Sequence, residues 1–204
     1  MRLLGISGSL SRGSRTSRLI QEVLDRAAGE SGVEVELLEI STSGVVLCDG
    51  RLPETYDRKT REVIDQVSAA DCYVVGSPMY RGSYTGAFKN LFDLLPNDAL
   101  AGKAVGLVAT GGSDHHFLAL EHQLRPLLSF FRAHTVPGTV YGQNIHFTDN
   151  GLTEELQEAC RSLAETVLHL SRTLVPGHAG PRYPVIVRKP DQQPSLAPQG
   201  TGQP

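Results

Sequence analysis

Short apolar runs alternate along this chain with longer stretches whose apolar residues recur at helical spacing, five times over. That alternation predicts a parallel sheet with helices on both faces. The runs are Leu3–Ser7, Val33–Ile40, Cys72–Gly76, Ala104–Ala109 and Thr139–Tyr141. Period-two alternation through Val33, Val35 and Leu37 marks the second run as a sheet edge, whereas the continuously apolar third run belongs at the centre. Helices are expected from Thr16 onward, over Arg58–Ala70, around Phe88–Leu95, around Leu120–Phe131, and after Thr153, which stands as an N-cap ahead of Glu154 and Glu155. Right-handed crossovers with a single reversal of winding give the strand order 2-1-3-4-5.

In a doubly wound sheet, ligands bind beyond the carboxyl ends of the strands where the winding reverses. Three loops meet there, and all are rich in Gly, Ser and Thr. The first, Gly8–Ser17, places hydroxyls, free N–H groups and Arg12, Arg15 and Arg18 at a helix N-terminus, a setting suited to a phosphate. The second, Ser77–Gly86, puts Met79 and Tyr80 just after a central strand, as a ledge for a flat ring or as a plug of the core. The third, Thr110–Ser113, carries two adjacent glycines, which suit a close backbone approach or a tight turn.

The chain has 204 residues, 40% hydrophobic and 20% charged, which fits one domain with a substantial core. A net charge of -3 speaks against a surface built for nucleic acid or anionic lipid. With no long apolar run and no signal-like start, the chain reads as soluble and cytoplasmic, without membrane contact. Cys48, Cys72 and Cys160 are widely spaced and suit neither a disulfide framework nor a zinc site. His115, His116 and His122 have poor ligand spacing, so no metal is expected. A Walker loop, a G-x-G-x-x-G fingerprint and a G-x-S-x-G elbow are all missing, which weighs against an NTPase, a Rossmann dehydrogenase and a serine hydrolase. Seven of the twelve prolines lie between Val175 and Pro204, so the domain is expected to span residues 1–174 and the tail 175–204. Tyr183–Val187 is the one apolar stretch of that tail able to dock.

The segments GISGSLSRGSRTSRL, SPMYRGSYTGAFKNLFDLLPNDALAGKAVGLVATGGSDHHFLALEHQLRPLLSFFRA and VYGQN resemble the NAD(P)H-dependent FMN reductase family. Within that family they are most similar to the reductases that serve alkanesulfonate and methanesulfonate monooxygenases. The resemblance implies a flavodoxin-like α/β fold and the cofactors FMN with NADPH or NADH. It implies a flavin phosphate on Ser9, Ser14, Arg15 and Thr16. Pro78, Met79, Tyr80 and Arg81 would lie against the isoalloxazine, with Ser83 nearby and Thr110, Gly111, Gly112 and Ser113 along the pyrimidine side. It also implies hydride transfer to flavin N5 without a side-chain acid or base, a flavin-dependent monooxygenase as partner, and a homodimer or homotetramer. The other activities such a fold allows are a quinone or azo reductase holding FMN and a simple electron carrier.

Pro126 falls inside the helical phase of Leu120, Leu124 and Leu128 and cannot donate to the His122 carbonyl. A break in the helix is therefore expected between Leu118 and Pro126, with His122 at or near it. Members of the resembling family carry a widened turn at this place, at a subunit interface.

Overall fold

The computed structural model describes residues 1–175 and 177–180. Five strands, β1 (Arg2–Ser7), β2 (Glu34–Glu39), β3 (Cys72–Pro78), β4 (Ala104–Gly111) and β5 (His134–Gln143), form one parallel sheet in the order β2-β1-β3-β4-β5. Helices α1 (Arg15–Ala28) and α6 (Glu154–Thr173) cover one face. The other face carries α3 (Arg58–Ala69), α4 (Gly86–Leu94) and α5 (Arg125–Phe130), and a single helical turn, α2 (Ile40–Ser43), follows β2. Because both faces are covered, β3 and β4 are buried along nearly their whole length. Strand β2 hydrogen-bonds β1 alone, and its exposure alternates as an edge strand requires.

Helix α1 starts where the sequence places it. The Ser14 side chain accepts from Ser17 N–H at 3.0 Å, and Leu19, Ile20, Val23 and Leu24 face the core at full burial. Thr153 does occupy the N-cap of α6, but its hydroxyl makes no capping bond and has no partner among the described residues. Glu154 and Glu155 supply negative charge to the first turn instead.

Strand β5 is longer than its apolar pattern. Pro137 and Gly138 interrupt that pattern, yet the strand runs through them, because the pairing with β4 shifts register between Val105 and Leu107. An edge strand with a bulge tolerates a residue that lacks an N–H. After β5 the chain makes a short antiparallel hairpin, β6 (Phe147–Thr148) and β7 (Gly151–Leu152), which the sequence did not announce.

The helix ahead of β5 breaks where Pro126 demands it. Residues Leu120–Leu124 form a π turn in which Arg125 N–H reaches the Leu120 carbonyl, five residues back, before α5 resumes α-helical bonding. His122 lies in this turn, exposed to solvent. Arg125 then ties the turn to the bulge in β5. Its guanidinium donates to Glu121 at 2.6 and 2.8 Å, to Thr135 Oγ1 at 2.7 Å, and to the carbonyls of Val136 and Pro137 at 2.9 and 3.1 Å.

Cys72 and Cys160 are buried, and burial pushes their thiols up to about 11 and about 12, so both stay protonated and inert. Cys48 is half-buried. Beyond α6 the His178 carbonyl accepts from His134 Nε2 at 2.9 Å, at the amino end of the sheet. Tyr183–Val187 lies outside the described residues. No described helix is long and apolar enough to cross a membrane.

Candidate functional site

The carboxyl ends of β1, β3 and β4 open into a crevice of about 330 Å³. Ser9, Ser11, Ser14, Arg15 and Thr16 form one wall. Pro78, Met79 and Tyr80 form the other, with Thr110, Gly111 and Gly112 as the floor and Asn144 at the end. Ten of the thirteen residues expected from the sequence thus line one cavity. The other three, Arg81, Ser83 and Ser113, lie beside it. Arg81 and Gly82 are the two central residues of a tight turn with φ of 54° and 81°, closed by Tyr80 N–H to Ser83 O at 2.8 Å and Ser83 N–H to Tyr80 O at 3.1 Å. Ser83 Oγ donates to Gln123 of the π turn at 3.3 Å. The Ser113 carbonyl accepts from the Tyr141 hydroxyl at 2.6 Å.

The first wall gathers hydrogen-bond donors at a helix N-terminus. The first N–H groups of α1, at Arg15 and Thr16, have no carbonyl one turn behind them, and the helix dipole places positive charge there. Ser9 is buried and its hydroxyl accepts from Ser11 N–H at 3.2 Å, which fixes the loop. Arg15 is aimed by Asn144, whose Oδ1 accepts from its guanidinium at 2.5 Å, and by the Phe147 ring 5.6 Å away. Asn144 and Ser11 were not among the expected site residues. Asn144 ends the VYGQN run and starts the short turn Asn144–His146 just past β5.

The loops hold one another. Thr85, the N-cap of α4, accepts from Phe88 N–H at 3.1 Å and donates to the Gly8 carbonyl at 2.6 Å. Its own N–H donates to Ser77 Oγ at 3.0 Å. Met79 N–H donates to the Thr110 carbonyl at 2.8 Å. Thr16 and Thr110 share a hydrogen bond between their hydroxyl oxygens at 2.6 Å.

The two floor glycines serve different ends. A Cβ on Gly111 would stand 2.0 Å from the Tyr141 hydroxyl, so the close approach at this turn is to the protein's own side chain. Burial, with Asp114 adding to it, pushes the Tyr141 phenol up, and it stays a neutral donor. At Gly112 a Cβ would meet nothing, so this glycine leaves the floor low rather than making room for protein. Asp114, His115 and His116 form a short turn in which Asp114 and His115 are exposed and His116 is half-buried. Among the described residues no three His, Cys, Asp or Glu side chains come together as a metal site.

These residues fit a flavin mononucleotide in chemistry: hydroxyls, a guanidinium and a helix N-terminus for a phosphate, and an apolar ledge over a low backbone floor for a flat ring. Residues 1–146 match the family described as NADPH-dependent FMN reductase. The chain is 45% identical over 180 residues to an NAD(P)H-dependent FAD/FMN reductase of Geobacillus thermodenitrificans, covering 87% of this chain and 97% of that protein. It is 38% identical over 169 residues to the NADH-dependent FMN reductase SfnF of Pseudomonas putida, covering 82% and 91%. Among solved structures, the apo form of the NADH:FMN oxidoreductase EMOB superposes with a TM-score of 0.71 at 29% identity, over 87% of this chain and 92% of the other. The fold, the crevice at its switch point and the match over residues 1–146 agree, and this chain belongs to the NADPH-dependent FMN reductase family.

Proposed function

We propose that this crevice binds FMN with its phosphate on Ser9, Ser14, Arg15 and Thr16, and that the chain passes reducing equivalents from a nicotinamide nucleotide to flavin for use by a monooxygenase. NAD(P)H-dependent reduction of FMN is the activity of the family. The observation that carries the site assignment is the meeting of the α1 N-terminus and Arg15 with the Pro78–Tyr80 ledge across one cavity. The supply of a sulfonate-type monooxygenase rests on the likeness to SfnF and to the related NADH-dependent FMN reductase SfnE of Pseudomonas putida.

FMN, when bound, supplies the acceptor for the hydride of the nicotinamide. The protein's part is positioning, and contact geometry between two rings needs no acid or base from a side chain. Arg15 and the open N–H groups of α1 would hold the phosphate end and so fix how far the ring reaches along the ledge. Met79, buried at its base, and Tyr80, 58% exposed, would give the ring an apolar wall while the opposite face stays open to a second ring. Arg81 and Ser83 would border the ring from the tight turn, and Ser113, held by Tyr141, would fix the Thr110–Ser113 edge along the pyrimidine. Association into a homodimer or homotetramer and residence in the cytoplasm complete the proposal.

Steady-state oxidation of NADH and of NADPH, each with excess FMN or with a quinone, tests this reading. Turnover on free FMN supports a reductase that releases its product. Turnover only with added quinone would replace the proposal with a bound-flavin quinone reductase.

A further inference from the structure

We propose that Thr110 is a positioning residue for the phosphate end of the flavin, acting through Thr16, although its strand places it at the ring end. The proposal rests on the phosphate assignment made above. Thr16 and Thr110 are ninety-four residues apart in sequence, their side chains line the same crevice, and their hydroxyl oxygens are 2.6 Å apart. Only 1% of Thr16 and 6% of Thr110 is exposed. At that distance and burial the contact is a short hydrogen bond shielded from water.

Two hydroxyls carry two protons, and the bond between them uses one. Neither oxygen has another partner among the described residues. One O–H donor is therefore left over, and its direction depends on which threonine gives the shared proton. When Thr16 donates to Thr110, the spare proton belongs to Thr110, on the ring side. When Thr110 donates to Thr16, the spare proton belongs to Thr16, at the second position of α1, where the N–H groups collect an anion.

A phosphate at the α1 N-terminus selects between the two arrangements, because only the second gives it a further donor. Thr110 then supports the Thr16 oxygen as that oxygen's proton is drawn to the phosphate, and hydrogen bonds in such a chain strengthen one another.

The test is binding of FMN and of riboflavin, which lacks the phosphate, to wild type and to Thr110→Val, Thr110→Ser, Thr16→Val and the Thr16→Val/Thr110→Val double variant. Thr110→Val should weaken FMN about three- to tenfold and shift riboflavin less than about twofold, the range expected when one hydrogen bond is lost. Thr110→Ser should recover the FMN affinity, since it keeps the hydroxyl. The double variant should bind FMN no worse than about twofold below Thr16→Val, because the second change removes an effect that already needs Thr16. Equal losses for FMN and riboflavin in Thr110→Val would overturn the proposal and make Thr110 a ring contact or a packing residue. Additive losses in the double variant, or no recovery with serine, would also overturn it. Arg15→Ala separates the two levels: if it too weakens both flavins equally, the phosphate assignment itself fails and this proposal with it.

Discussion

Gly111 and Tyr141 show how much of this site is fixed one residue at a time. The phenol passes so close to Gly111 that any side chain there collides with its oxygen, and the same oxygen holds the Ser113 carbonyl. Gly111→Ala should therefore cost about 1 to 3 kcal/mol in unfolding free energy, the range for overpacking. Adding Tyr141→Phe should recover part of that cost, since it removes the colliding oxygen while the ring carbon at 3.1 Å stays tight. Thermal or urea unfolding of the four proteins measures this directly, and purely additive effects would contradict the geometry. At the neighbouring wall, Arg15→Ala should weaken FMN binding by about 1.5 to 3 kcal/mol, the size of a charge-assisted hydrogen bond, and leave riboflavin nearly indifferent. Calorimetric titration with both flavins checks it. That the Gly8–Ser17 loop reaches the crevice was legible in the sequence, because it follows the first strand where the winding reverses; the choice of Ser9, Ser14, Arg15 and Thr16 within it came from the family resemblance. The twin glycines were legible only as a close approach or a tight turn; that one approaches Tyr141 and the other leaves open space depends on a strand thirty residues away.

At the scale of elements, Arg125 joins two irregularities that would each be costly alone. The π turn before Pro126 and the bulge beside Pro137 leave carbonyls without regular partners, and one guanidinium serves both Val136 and Pro137 while holding Glu121. The Arg125 hydrogen bond keeps the Glu121 carboxyl below its ordinary value near 4.5. A depressed native value means that the ionised pair stabilises the fold above the ordinary carboxylate range and that this contribution is lost as pH falls through the native value. Glu121→Gln should lower stability at pH 7 by about 0.5 to 1 kcal/mol, since the pair is partly exposed. The gap between variant and wild type should close as the pH is taken below about 4.5; melting curves from pH 8 to pH 3 follow it, and a gap that widens in acid would refute the assignment. The break itself was legible, because a proline inside a helical phase leaves few outcomes. The full extent of β5 was not, because Pro137 and Gly138 are poor strand residues that only an edge position and a register shift accommodate.

For the whole molecule, strand order and the position of the crevice followed from alternation and handedness, which act over the entire chain and tolerate local error. Irregular parts, such as the β6–β7 hairpin and the α2 turn, follow from packing between distant segments and left no period to read. The boundary after α6 leads to a further prediction. Removing residues 181–204 should leave FMN reduction within about twofold, because the five-strand fold and its core close before them. Removing 176–204 also takes away the His178 carbonyl that His134 holds, at the end of the sheet opposite the crevice, and should lower the melting temperature more than the turnover. Loss of turnover in the shorter truncation would show that the tail belongs to the functional unit. At the crevice end the bonds from Thr85 to Gly8, from Met79 to Thr110 and between Thr16 and Thr110 each cross from one loop to another, and the Thr85–Ser77 bond braces the second loop from within. Loops so tied cannot fray singly. Their amide protons at Gly8, Met79 and Thr85 should exchange with solvent deuterium at a shared rate, as one cooperative opening, and the flavin's departure should then wait on that opening rather than on any one loop.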